Sequence, residues 1–340
     1  MPALTNEVKN AKSPVARWLR ATFPHHHDLQ SDYREAAGLA RVLPPPTVAF
    51  WTQGAAIDWW LRFLIDPTPS VRPAVAGLST GRAPCRRACL ELLHDLGAVD
   101  NDANHAGPIH LARFGERSDE WWARMSYAVA LLVELYRAAR VDGSRLMQLG
   151  PDSRATDLLA LANADEVTDL IAMRDLAVKQ LLPRLPIGPV TSGPTFEGSA
   201  DLNADADLIV GGVLVDFKAT QERARPDGSR AAGLTRAEID QLLGYVLLDY
   251  SDAFALHSVA IYAVRYGHYA AWPLDDWCAK LAGQPVDLTA LRQEFAQVVR
   301  VGVGLPADSR PDPVAGHNQL AGHQSRTCPV AAPPRAEAHR

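Results

Sequence analysis

Four ionisable side chains gather around a glycine pair in the middle of the chain. The segments ADLIV (206–210) and VLVDFKA (213–219) are apolar and β-branched, and Gly211-Gly212 joins them. This pattern predicts two strands and a two-residue hairpin turn, because glycine accepts the positive φ such turns require. With the glycines as the loop, directly opposed positions sum to 423, so Asp207 faces Asp216 and Asp205 faces Lys218. Alternation along a strand puts all four on one face of the sheet. Leu208, Val210, Val213, Val215 and Phe217 fall on the other face, where a helix can cover them.

Opposed carboxylates, with Cβ atoms ~4.5–5.5 Å apart, destabilise a sheet. Either one of them holds its proton to higher pH than usual or a cation lies between them. Oxygen donors so arranged suit Mg²⁺ or Mn²⁺, which keep several waters and take one or two carboxylates. Lys218, two residues from Asp216 on the same face, is placed to hold a metal-activated water or to neutralise charge developing on a phosphate. Together these groups are equipment for hydrolysing a phosphodiester.

The elements around the hairpin must hold it. Thr235-Arg-Ala-Glu238 is a capping box, and it opens a helix, EIDQLLGYVLLDY. On that helix Gln241 and Tyr245 share a face with Glu238 and Asp249, while Ile239, Leu242, Val246 and Leu247 face a core. A helical stretch over 154–184 precedes the hairpin, separated from it by a loop, GPVTSGP (188–194). SVAIYAV (258–264) and HYAAWPL (268–274) read as two further strands, and LDDWCAKLAG and 287–300 as helices.

The order Asp207…Asp216-Phe217-Lys218, then Gln241-Leu-Leu-Gly-Tyr245, resembles the PD-(D/E)xK nuclease superfamily over residues 155–275. The Gln-xxx-Tyr helix is similar to that of its RecB-type exonuclease branch. The resemblance implies a helix packed on a mixed sheet and Mg²⁺ or Mn²⁺ as cofactor. It puts the metal on Asp207 and Asp216, with the carbonyl of Phe217 as a further ligand. Lys218 would position the attacking water or stabilise the transition state, Gln241 would orient substrate or Lys218, and Tyr245 would contact phosphate or base. Glu166 is the positional match for a family glutamate before the hairpin, but Asn163-Ala-Asp-Glu166 also reads as a helix capping box. No proline precedes Asp207, and Asp205 is either a competing first carboxylate or the ion-pair partner of Lys218. Arg223, Arg225, Arg230 and Arg236 flank the loop after Lys218, as phosphate contacts or as a solvated loop.

The whole chain sets the bounds. It has 340 residues, 47% hydrophobic and 21% charged, which excludes fibrous and wholly disordered classes. Net charge is −5, distributed as +2 over 1–150, −8 over 151–300 and +1 beyond. An acidic second half argues against a protein that coats nucleic acid nonspecifically. No apolar run suggests a membrane span or signal peptide, so no membrane partner and a cytoplasmic location are expected. Arginine far outnumbers lysine, which points to a GC-rich bacterial genome.

Residues 1–150 read as a helical domain, with strong helical periodicity over 55–65 and 119–140 and a helix over 84–97. It would choose the substrate or a protein partner. Residues 151–303 read as the nuclease-like domain and 304–340, rich in proline and without aromatics, as a disordered tail. Trp59-Trp60 and Trp121-Trp122 read as core, and Cys85, Cys89 and His94 as structural, since no second pair completes a zinc site.

The expected fold class is α+β, a helical N-terminal half plus a PD-(D/E)xK-like mixed sheet flanked by helices. The expected function is a metal-dependent nuclease acting on DNA, more than on RNA, in phage defence, repair or mobile-element processing. The alternative is a catalytically inactive protein of that fold serving as a nucleic-acid or protein adaptor.

Overall fold

Gly211 and Gly212 adopt φ of 53° and 79°, the positive pair that turns a tight hairpin. They join β2 (Leu208–Val210) to β3 (Val213–Lys218), with Leu208 opposite Val215 and Val210 opposite Val213. This is the register the glycine loop predicts. The structure is a computed structural model and describes residues 2–46, 48–137, 141–220 and 224–302. The expected disordered tail lies outside the described residues, as does Arg223.

Twelve helices surround the strands among the described residues. Three open the chain: α1 (Leu4–Lys9), α2 (Pro14–Thr22) and α3 (His27–Ala37). Then come α4 (Phe50–Ile65), α5 (Arg72–Ser79), α6 (Arg86–Asp95), α7 (Asp119–Arg137), α8 (Ala155–Leu159) and α9 (Ala164–Gln180). The remaining elements are β1 (Val190–Ser192), α10 (Arg236–Leu248), β4 (Ser258–Ala263), β5 (His268–Pro273), α11 (Leu274–Ala282) and α12 (Leu288–Gly302).

The strands form one mixed sheet in the order β1-β2-β3-β4-β5. Neighbours are antiparallel except β3 and β4, which run parallel and are connected through α10. A parallel pair needs such a crossover, because a tight turn can only reverse the chain. Val190–Ser192, expected to be loop, is a strand instead: it pairs with β2 from Val190 opposite Val210 to Ser192 opposite Leu208. Its three residues are too short for period-two alternation to stand out between Gly188 and Gly193.

Both faces of the sheet are covered, which makes a helix–sheet–helix sandwich. Leu208, Val210, Val213, Val215 and Phe217 share one buried cluster with Trp60 and Leu61 of α4, Leu131 of α7 and Leu170 of α9. Ile209 and Leu214, on the opposite face, share a second cluster with Leu242 and Val246 of α10, Leu19 of α2 and Phe295 of α12. Both clusters draw residues from before and after position 150. The helices of 1–150 thus split between the two faces rather than forming a layer of their own, α1–α3 on one side and α4–α7 on the other.

Helix α10 is buried nearly all round, because α1, α2 and α12 cover the side turned away from the sheet. At Gly244 an added Cβ would sit 2.6 Å from a methyl of Leu4, so any larger residue would push the Leu4 side chain of α1 aside. No helix among the described residues is long and apolar enough to cross a membrane.

Candidate active site

The turn and pleat bring Asp216 and Lys218 to the C-terminal end of β3, on the face covered by α10. Asp216 Oδ2 lies 2.6 Å from Lys218 Nζ, and that ammonium also donates to Gln241 Oε1 at 3.0 Å. Gln241 in turn donates through Nε2 to the Tyr245 hydroxyl at 2.6 Å. Asp216, Lys218, Gln241 and Tyr245 therefore form one chain of contacts from sheet to helix. Gln241 and Tyr245 meet because residues four apart share a helix face. The capping box at Thr235 fixes where that helix begins: Thr235 Oγ1 accepts from the Glu238 amide, and Glu238 accepts from the Thr235 amide.

The electrostatics of the pair follow from burial. Asp216 is 2% exposed. Burial pushes its carboxyl up to about 7, Lys218 opposes that rise, and Asp207 adds to it. Asp216 Oδ2 is buried against the Lys218 ammonium. For Lys218, burial acts to lower the pKa, but Asp216, Glu238 and Asp207 outweigh it and hold the ammonium above its ordinary value. Glu238, read in the sequence only as a cap and face-mate, thus adds negative charge near Lys218 from the first turn of α10. Tyr245 is buried beside Phe196, with ring centroids 5.8 Å apart, and burial raises its hydroxyl well above the usual range.

Asp207 is held by two donors. Its Oδ2 accepts from the Phe217 amide at 2.7 Å, and its Oδ1 accepts from Arg62 at 2.9 Å. Arg62, on α4, is buried and grips Asp58 with two bonds of 2.9 and 2.8 Å. It lies 5.0 Å from the Trp59 ring centroid. Burial pushes Asp58 up to about 7, with Arg62 opposing and Asp207 reinforcing the rise. No local signal pairs Arg62 with Asp207, since 145 positions separate them. Asp205 is not the partner of Lys218; Arg137, at the end of α7, takes it instead. Phe217 reaches Asp207 through its N–H, while its ring lies in the core on the other face.

Two of the expected site residues sit in other networks. Glu166 belongs to a structural network: its side chain accepts from Arg145, from the Tyr127 hydroxyl at 3.2 Å and from the Asn163 amide at 3.0 Å. Asn163 Oδ1 accepts from the Glu166 amide at 2.9 Å, so the capping-box reading of this glutamate is the one realised. Arg236 is engaged within the fold. It donates to Asp240 at 2.8 Å and to the carbonyls of Phe23 and Leu19, tying α10 to α2. Arg225 is exposed beside an open groove, and Arg230 is half-buried. Cys85 and Cys89 are buried with sulfurs 3.7 Å apart, and Trp59 and Trp60 are core.

Among the described residues no group of three or more His, Cys, Asp or Glu side chains is arranged to hold a metal ion. The donor set is a pair of carboxylates, Asp207 and Asp216. A carboxylate oxygen has two lone pairs, so each Asp207 oxygen keeps one beyond its present bond, and Asp216 Oδ2 likewise keeps one beyond its 2.6 Å contact with Lys218 Nζ. That chemistry fits a hard divalent cation that takes two carboxylates and completes its shell with water and phosphate oxygens. No family model, curated protein or solved structure matches the chain.

Proposed function

We propose that the protein is a divalent-metal-dependent phosphodiesterase acting on nucleic acid, of the PD-(D/E)xK nuclease type. One observation carries the reading: a buried acid held up to about 7, Asp216, lies 2.6 Å from an ammonium that a helix glutamine holds at 3.0 Å, and a second acid, Asp207, acts electrostatically on both.

In this reading Asp207 and Asp216 hold Mg²⁺ or Mn²⁺, and the cation supplies Lewis-acid polarisation of the phosphodiester. Lys218 places its ammonium where charge develops on the phosphate or where the attacking water must be oriented. Gln241 fixes the lysine rotamer, and Tyr245 fixes Gln241. Arg62 keeps the Asp207 carboxylate in one orientation and balances charge beneath it. The hydrolytic pathway and the preference for DNA over RNA rest on the resemblance.

The test is incubation of the purified protein with linear, circular and single-stranded DNA in Mg²⁺, Mn²⁺ or EDTA, with Asp216→Ala and Lys218→Ala alongside. Metal-dependent cleavage that disappears in both variants supports the reading. Cleavage retained in both overturns it. A wild-type protein that binds DNA but cleaves under none of these conditions is the adaptor instead.

A further inference from the structure

The first turn of α4 carries an aromatic pair that the core does not use. Trp51 is 82% exposed and Phe50 is 55% exposed, whereas Trp59 and Trp60 of the same helix are 3% and 2% exposed. Among the described residues no ring or cation stacks on Trp51. Gly54, one turn on, would place a Cβ 3.6 Å from the side chain of Ala219, which follows Lys218 in the chain and packs against the cluster that includes α4.

From there a track of contacts continues. Lys218 and Thr220 line a small hollow with Tyr33, Gly233, Ala263 and Tyr266. Gly233 also lines the adjoining groove of about 480 Å³, whose walls include Gln30, Arg34 and Arg225. Both arginines are exposed. The exposed aromatic pair and the two exposed guanidinium groups thus border the same short segment, residues 218–220, from different elements. That combination matches a single nucleic-acid strand, whose unpaired bases stack on aromatic faces while its phosphates meet cations. A duplex keeps its bases stacked inside and offers Trp51 nothing to stack on.

We propose that Phe50 and Trp51 form a base-stacking platform for a single-stranded nucleic acid, whose backbone then passes Lys218 towards Arg34 and Arg225. The proposal rests on the phosphodiesterase reading and gives its substrate a class.

The test is fluorescence anisotropy with a labelled oligo-dT of about 15 nucleotides, its oligo-U counterpart and a duplex of equal length. It uses the full chain, with EDTA and Ca²⁺ arms so that binding is read apart from cutting. Trp51→Ala should weaken single-strand binding roughly tenfold or more, with Trp51→Phe recovering most of it. Binding of the duplex should not change. Arg34→Ala with Arg225→Ala should weaken binding and flatten its salt dependence. Single-strand binding indifferent to Trp51→Ala, or no binding at all, overturns the platform. So does a Trp51→Ala variant that converts a dimer to a monomer in sedimentation without altering oligonucleotide affinity. Cleavage assays separate the two claims: cutting without a Trp51 effect removes only the platform, and Trp51-dependent binding with no cutting in any metal removes only the enzyme.

Discussion

Two of the buried acids that pair with cations in this sheet sandwich are built differently. Asp169 of α9 meets Arg265 through two parallel bonds of 2.8 Å and accepts a third from Gln53 at 2.9 Å. Both of its oxygens are filled by groups fixed in the core. Asp216 meets Lys218, whose ammonium is shared with Gln241 and partly open to a hollow. Planar arginine suits a closed pair, while lysine is a compact charge on a flexible stem that can serve more than one partner. The closed pair serves the fold. The open pair keeps capacity in reserve, which is what a ligand or a reacting phosphate would use.

The largest effect expected is on turnover. Asp216→Ala should lower metal-dependent cleavage by at least ~10²–10³-fold, read as initial rates on linear DNA, while the circular dichroism spectrum stays that of the wild type. A variant that cuts at the parental rate would erase the distinction between the two pairs. Next comes the closed pair: Asp169→Ala leaves Arg265 buried without its countercharge and should cost ~3–5 kcal/mol in urea unfolding. Its cleavage per folded molecule should be unchanged; a proportionate loss would make both pairs functional.

Glu166→Gln sharpens the boundary, since Glu166 is buried on the structural side. It should cost ~1–3 kcal/mol through the weakened bond to Arg145 and leave metal affinity by calorimetry as it was. Lost metal binding at unchanged stability would return Glu166 to the site. The open pair should also mark the pH dependence of stability. Asp216 gives up its proton near 3.8 when unfolded and near 7 when folded, so folding takes up a proton between those values. Its contribution is absent below 3.8, grows unfavourable as pH rises, and levels off above 7, with a slope of at most ~1.4 kcal/mol per pH unit. Asp58, raised the same way, adds in the same sense. Asp216→Asn should therefore lose stability less steeply than the wild type between pH 5 and pH 7 in urea titrations, and an equal slope would place the raised acid elsewhere. Smallest is Tyr245→Phe, which removes one hydroxyl partner of Gln241 and should cost ~0.5–1.5 kcal/mol by thermal melting.

Local chemistry was legible in the sequence wherever a short-range rule decides the geometry. The glycine pair set the hairpin register, and Asn163 and Thr235 announced the starts of α9 and α10. The same rule that named Thr235 as a cap also named Glu166 as one, and there the local reading won over the family one. What stayed hidden depends on distant chain meeting chain. Arg62 reaches Asp207 across the sandwich, Arg137 takes Asp205, and neither pairing leaves a mark in spacing. The acid-bearing face looked polar from alternation alone, yet Ile209 and Leu214 share it and are buried by α10. Trp51 gave no signal because tryptophans on the same helix are core, and only the position of the helix start decides which of them stays outside.

Helix α10 carries Gln241 and Tyr245, yet its outer surface is closed by the first and last helices described. Thr22 at the end of α2 and Arg236 at the start of α10 lie 214 positions apart. On a ribosome, the opening helices must therefore wait through most of synthesis before their partner emerges, with their apolar sides uncovered. Non-local closure of this kind slows folding. Removal of the first few dozen residues, as in a start-site misassignment or a trimmed expression clone, would strip the seal from the helix that steadies Lys218 and yield an insoluble chain rather than a smaller folded one.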